Sequence, residues 1–497
     1  MMSTQYSLLR SPLAAAMTVV MLLSGCVSTG GLAPAGQPSD ADSLTASQSL
    51  SAHALSDAAF PRQDWWNALG DPQLDALINE ALQGTPSLDA ADARLRKARA
   101  QAGLANAARK PTLAGSAQYA GAILPETLAE PPLGGEYLPA DVLALDFKWN
   151  LDLWGGKRAQ WEAAVGQAKA AEVEAQAARV TLAANIARAY INLAQAYDAR
   201  DVANHEHQRA TDLLSLAQQR VDAGLDNNLQ LRQAESTLAS SEQQAQAAQQ
   251  QIDALGNAIA ALLGKGPDRS LSIARPQVLQ ATTPAIPSVL PSELLGHRAD
   301  VVAARWQVEA ANRGIDARKA SFKPSVNLNL FVGLASDGLS DLFSSDALLG
   351  FGGPALSLPI FEGGALRNQL DAADADYDLA VASYNQTLVG ALNEVTDALQ
   401  AAQSLDQQIA SAQRARQAAQ AAWDLARTRY SAGLGTQIDV LAAQRPLLQI
   451  EQQLTSLQAQ RLMSMVDLDT ALGGGLVLED APLPIADTSS KSPVDTP

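Results

Sequence analysis

RVDAGLDNNLQLRQAE at 220–235 and RYSAGLGTQIDVLAAQ at 429–444 share the frame R-x-x-A-G-L, 209 residues apart, each between long Gln- and Ala-rich stretches. A glycine at that point is where a helix can end in the left-handed conformation and reverse. Gly224 and Gly433 therefore mark two helical turns, each followed by an apolar residue, Leu225 and Leu434. After the second turn, Thr436 can cap a new helix with Asp439 three residues on, as in a capping box.

Working outward, the two copies stay in register. Pro111 and Pro324 stand 213 residues apart, Gly155 and Gly363 208, and Gly264 and Gly473 209. Each copy reads as a helical stretch, a proline, two strands around a loop, a very long helix, the A-G-L turn and a further helix. Strands are expected near 112–123 and 141–153 in the first copy, and near 325–335 and 354–361 in the second. Within 143–153, Leu143, Leu145, Phe147, Trp149, Leu151 and Leu153 alternate with Ala144, Asp146, Lys148, Asn150 and Asp152. Period two with one apolar face is the pattern of a half-buried strand, and it also suits a membrane-spanning barrel. Pro354 and Pro359 weaken the last strand.

No proline occurs from Ala140 to Gly266 or from Ile360 to Arg445. At 1.5 Å per residue, 157–222 would span about 100 Å, 226–263 roughly 57 Å and 86–110 roughly 37 Å. The two shorter helices, end to end, match the long one, and helices of this length need helical partners. Pro446, inside the last helix, should kink it or force a local adjustment. Four strands per chain cannot close a barrel, for which about eight is the practical minimum, so several chains are needed.

The chain has 497 residues, only 4% aromatic, and a formal charge of −17, which argues against nucleic-acid binding. The single cysteine, Cys26, follows Arg10, an apolar run from Leu13 to Leu23, and Leu23-Ser24-Gly25. Residues 1–25 read as a secretory signal ending in a lipobox-like site, with Cys26 as the lipidated first mature residue. Val27, rather than Asp, follows it and points to the outer membrane. Residues 26–60, rich in Ser, Ala, Gly and Pro, read as a flexible tether, with the body beginning at Trp65-Trp66. The remaining divisions are repeat 1 over 61–264, a connecting segment over 265–290, repeat 2 over 291–474 and a tail over 475–497.

LGDPQLDALINEAL (69–82), LDLWGGKR, LPSELLGHRADVVAARWQVEAAN (290–312), KPSVNL (323–328), PIFEGG (359–364) and the second A-G-L stretch, in this order, resemble the outer membrane efflux protein family. These are the TolC-like channels, and the lipoprotein start resembles the NodT-type branch. Ala299 departs from the proline common in that branch. The resemblance implies a mainly helical protein with a small β part. It implies a homotrimer whose twelve strands form an outer-membrane barrel and whose helices form a long periplasmic tunnel. It also implies a periplasmic adaptor and an inner-membrane transporter, taken as the resistance-nodulation-division class, that supplies the energy. The expected function is the passive exit duct of a tripartite efflux pump for drugs or other toxic small molecules. The resemblance places the gate at Asp439 and Ile438, with Tyr430 tying the closed helices, and adaptor docking at Gly224, Leu225, Gly433 and Leu434. The family's second gate aspartate is Ala442 here, and its nearby arginine is Gly435. Asp439 has two open readings: an acidic ring about a trimer axis, or a helix cap.

Other features carry bland readings. His205 and His207 lie on different helix faces and read as an exposed pair, not a metal site. Gly155-Gly156-Lys157-Arg158 and Gly264-Lys265-Gly266 do not fit a phosphate-binding loop. Trp65-Trp66 reads as a packing anchor. No nucleophile–base arrangement, cofactor motif or metal set stands out, so no enzyme is expected. Two rival functions remain: a type I secretion channel for polypeptides, and a non-conducting structural lipoprotein, which would need neither the alternating strands nor the duplicated loops.

Overall fold

The computed structural model describes residues 28–40, 55–56, 60–123, 125, 127, 135–277, 286–287 and 294–476. The signal segment, Cys26 and the tail beyond Leu476 lie outside the described residues. The duplication is visible in the element lengths. Helices α1 (Pro72–Leu82) and α2 (Pro86–Ala107) precede strands β1 (Thr112–Ile123) and β2 (Tyr137–Leu151), then helices α3 (Gly156–Asp222) and α4 (Asn228–Leu262). The second copy runs α5 (Ala299–Ala320), β3 (Ser325–Ser336), β4 (Leu348–Ser357), α6 (Ala365–Ser431) and α7 (Gln437–Ala471). Both α3 and α6 have 67 residues, both α4 and α7 have 35, and both α2 and α5 have 22.

Two compact units divide the chain. The first takes residues from 28–38, 96–170 and 304–384. It contains one antiparallel sheet in the order β1-β2-β3-β4, so β1 and β4 are its edges. β4 begins at Leu348 and ends at Ser357, earlier than the expected 354–361. Pro359 falls outside it, and Pro354 lies on the edge strand, opposite Leu328, the kind of strand in which proline is tolerated. β2 starts at Tyr137, before the expected 141, because Tyr137 to Ala140 pair with Ile123 to Ala120.

Residues 28–40, read from composition as part of a flexible tether, lie along α6 instead. Leu32 packs beside Ile315, Phe322 and Leu370. Arg367 Nε donates to Ser28 O at 3.0 Å, and Gly36 N donates to Asp378 Oδ1 at 2.6 Å. A carboxylate aimed at backbone amides, plus one partly buried leucine, offsets the chain entropy that composition alone would leave dominant.

The second unit takes residues from 39–95, 171–303 and 385–476. Its largest core packs Trp65, Trp66, Leu74, Leu77 and Ile78 against Ile186, Tyr190 and Ile191 of α3 and Ile259 of α4. The two tryptophans meet edge-on, 5.7 Å apart, as a packing anchor. Asp71 caps α1 through Gln73 N at 2.9 Å, while its other oxygen accepts from Tyr190 Oη at 2.7 Å and Gln277 N at 2.8 Å. One carboxylate thus joins a helix start, the long helix and the connecting segment. The short helices stack end-on, as their lengths implied: a Cβ on Gly264 would come within 2.8 Å of Pro86 Cδ, and Arg298 Nη1 donates to Ala471 O at 3.0 Å. Pro446 lies inside α7 without ending it. It has no N–H to offer the carbonyl of Ala442, and the helix continues past that gap.

Candidate functional site: the paired hairpin turns and the strand sheet

Each A-G-L stretch forms the turn its glycine implied. Gly224 has φ of 69° and Gly433 has φ of 75°. Leu225 N donates to Arg220 O and Leu434 N to Arg429 O, both at 2.8 Å, while Gly224 N donates to Val221 O at 2.9 Å and Gly433 N to Tyr430 O at 3.0 Å, so two carbonyls at each helix end are closed in the same way. The helices that follow start on capping boxes, Asn227 with Gln230 and Thr436 with Asp439. Leu225 is 65% exposed, Leu434 72% and Ile438 66%. The turns thus end in uncovered aliphatic groups.

The two turns meet through three polar side chains. Tyr430, 1% exposed, donates from Oη to Asp226 Oδ2 at 2.6 Å. Arg220 Nε donates to the same oxygen at 2.8 Å, its Nη1 donates to Tyr430 O at 3.0 Å, and its guanidinium lies 4.5 Å over the tyrosine ring. The Arg220 hydrogen bond holds the Asp226 carboxyl below the usual carboxylate range. Burial, then the bond to Asp226, pushes the Tyr430 phenol up to about 12. Beneath the tie, Tyr430 packs with Leu213, Trp423, Val440 and Leu447. The sequence singled out Tyr430 but missed Arg220 and Asp226. The signal was present: both belong to the first A-G-L stretch, and the second copy keeps the arginine as Arg429 but has Gly435 in place of Asp226, so the copies are not interchangeable.

Asp439 is exposed and engaged locally. Its Oδ2 accepts from Thr436 N and from Thr436 Oγ1, both at 2.8 Å, and its own N–H donates to Thr436 Oγ1 at 3.3 Å. The Thr436 backbone bond holds its carboxyl below the ordinary range. The capping reading of Asp439 is therefore visible within one chain. His205 is exposed, whereas His207 is half-buried with Nδ1 3.3 Å from Ser241 Oγ, and the two do not converge. Among the described residues no group of metal-ligating side chains gathers, and no helix is long and apolar enough to cross a membrane.

The sheet sorts most of its side chains onto two faces. The pairing puts Leu113, Leu145, Phe147, Trp149, Leu330, Val332, Leu348 and Leu356 on one face. The opposite face carries Ser116, Gln118, Asp146, Lys148, Asn150, Asn327 and Asn329. Many of the large apolar groups are uncovered, Leu113, Leu145, Val332, Leu348 and Leu356 among them. Tyr119 and Tyr137 lie toward the loop end of that face, hydroxyl to hydroxyl at 3.1 Å, and Trp149 lies toward the helix end, its indole donating to Arg109 O at 3.2 Å. Apolar groups between two aromatic borders are the pattern of a surface turned to lipid.

Comparison with known proteins agrees with this geometry. The pattern of the outer membrane efflux protein family matches residues 77–265 and 290–474. The fusaric acid resistance protein FusA of Burkholderia cepacia is 38% identical over 73% of this chain and 69% of its own length. The pyoverdine export outer membrane protein OpmQ of Pseudomonas aeruginosa is 30% identical over 91% of this chain and 96% of its own. The crystal structure of the outer membrane protein VceC of Vibrio cholerae superposes with a TM-score of 0.78 at 38% identity, covering 84% of this chain and all of VceC. Family and fold are those of channels, not enzymes. The chain belongs to the outer membrane efflux protein family, and it is an outer-membrane exit duct of an efflux system with the TolC-like fold.

Proposed function

We propose that three copies of this chain join their sheets edge to edge into a 12-stranded barrel, with the long helices continuing as a periplasmic tunnel. The observation that carries this reading is the sheet itself: one uncovered apolar face and two unpaired edges, β1 and β4. In lipid an open sheet edge leaves N–H and C=O groups without partners, at several kcal/mol each, and only closure removes both edges. Four strands are too few to close alone, and three chains supply twelve.

The duct conducts passively. An inner-membrane transporter supplies the energy, and a periplasmic adaptor grips the helical tips, where Leu225 and Leu434 offer uncovered aliphatic groups on the two hairpins. Relatives named for fusaric acid resistance and pyoverdine export support small-molecule cargo. The tie from Tyr430 and Arg220 to Asp226 holds the tip shut, and opening requires these bonds to break. Three Asp439 carboxylates near the axis form an acidic ring that favours cations, while each also caps its own helix. Cys26 carries the lipid that adds a second hold on the outer membrane.

The test is the mass of the detergent-purified protein, followed by ion selectivity in planar bilayers for the parent and Asp439→Ala. A trimer whose cation preference drops in the variant supports the reading. A monomer, or a selectivity untouched by the substitution, contradicts the barrel or the acidic ring respectively.

A further inference from the structure

Asp146, Phe331 and Phe351 stand in one cross-strand row on the polar face of the sheet, Asp146 opposite Phe331 and Phe331 opposite Phe351. Phe331 and Phe351 are the only aromatic side chains on that face of the four strands. The other face holds Tyr119, Tyr137, Phe147 and Trp149. An aromatic pair on the wet side departs from the alternation that sorts the rest of the sheet.

The rings lie 4.8 Å apart with an interplanar angle of 18°, a parallel stack. Cross-strand packing accounts for the contact between them. It does not account for the open ring of Phe351, which is 65% exposed. Gly353, next along the same face, has nothing within 4 Å of the place a Cβ would occupy, so space remains beside that ring. The charged group in the row is the Asp146 carboxylate, which has no hydrogen-bond or ion-pair partner among the described residues. Lys148 lies one step further along the same face, in the row of Asn329.

We propose that Phe351, backed by Phe331 and flanked by Asp146, is a lumenal contact site for planar aromatic cations passing through the duct. This rests on the closed-barrel reading above, in which the polar face lines the lumen and three such sites surround it. A flat π system stacks on the open phenyl face, and a positive charge on the cargo is drawn to the carboxylate and to the ring face. The site would slow such molecules at the wall without holding them, since a duct must release what it admits.

The test is channel block in planar bilayers by ethidium, a planar aromatic cation, beside tetraethylammonium, a cation without a ring. The variants are Phe331→Leu/Phe351→Leu, which keeps apolar bulk between the strands, and Asp146→Asn. The double variant should raise the half-blocking concentration of ethidium about fivefold or more, a stacking-sized loss, and leave tetraethylammonium unchanged. Asp146→Asn should weaken block by both cations. Unchanged ethidium block in a double variant of normal conductance overturns this inference alone. An equal loss of tetraethylammonium block in the double variant also overturns it, because that marks altered pore shape. Stable parent trimers that pass no current would overturn the channel reading and this inference with it.

Discussion

Tyr430 Oη and Arg220 Nε both reach the same atom, Asp226 Oδ2, at 2.6 Å and 2.8 Å. One carboxylate oxygen thus joins two hairpin turns that lie 209 residues apart in the sequence. The tie is nearly dry, with Tyr430 1% exposed. Tyr430→Phe keeps the ring on Leu213 and Trp423 and removes one bond to a charged acceptor, a loss of about 1.5–3 kcal/mol. Asp226→Ala removes the acceptor from both donors and strands Arg220, so it should cost more. Hydrogen exchange across 220–230 and 428–440 reads both: amides in both turns should lose protection in each variant, more so in Asp226→Ala. Loss confined to the mutated turn would contradict the joint.

The same tie should respond to pH at two extremes. The Asp226 pKa is lowered by Arg220, so its contribution is whole above the ordinary carboxylate value of about 4 and is lost as pH falls through the depressed value. The Tyr430 pKa is raised to about 12, so its contribution is whole below the ordinary phenol value of about 10 and is lost as pH rises toward about 12. Protection of the turns should be flat from about pH 5 to about pH 9 and should fall on either side. A single step near neutrality would point to a different controlling group.

Gly224 and Gly433 allow a test of backbone strain alone. Both lie in the left-handed region, and neither has an atom within 4 Å of a Cβ position. Alanine at either site meets no neighbour, so its cost is the left-handed penalty of about 1–2 kcal/mol. Thermal unfolding of Gly224→Ala and Gly433→Ala should show similar losses. A markedly larger loss at one turn would mean that a partner copy packs against it.

Asp71 is 2% exposed and accepts from Gln73 N, Tyr190 Oη and Gln277 N. Burial, followed by the bond to Asp71, pushes the Tyr190 phenol up. Asp71→Ala leaves three donors without their acceptor and should cost about 3 kcal/mol. Tyr190→Phe should cost less, since the two amides keep theirs. Melting temperatures of the two variants decide the order.

Much of this architecture was legible because it depends on period and punctuation. Gly224 and Gly433 announced the turns, the proline-free runs announced the 67-residue helices, and alternation from Leu143 to Leu151 announced a two-faced strand. The edge of β4 was not legible, because Pro354 reads as a strand breaker until it is known to lie on an edge. The docking of 28–40 was hidden for a similar reason: Ser, Ala, Gly and Pro signal freedom, and the polar groups that hold it, Arg367 and Asp378 among them, lie more than 300 residues away. At the tip, Tyr430 was marked by the family resemblance. Its partners Arg220 and Asp226 were not singled out, since only the fold brings the turns together.

The most direct measurement is single-channel conductance of the purified protein in planar bilayers, parent beside Asp226→Ala. A duct held shut by the hairpin tie predicts small, discrete current steps in the parent and larger, longer-lived steps in the variant. Silent membranes for both proteins, with each folded and trimeric, would contradict a conducting duct, and equal steps in the two would contradict the tie as its lock.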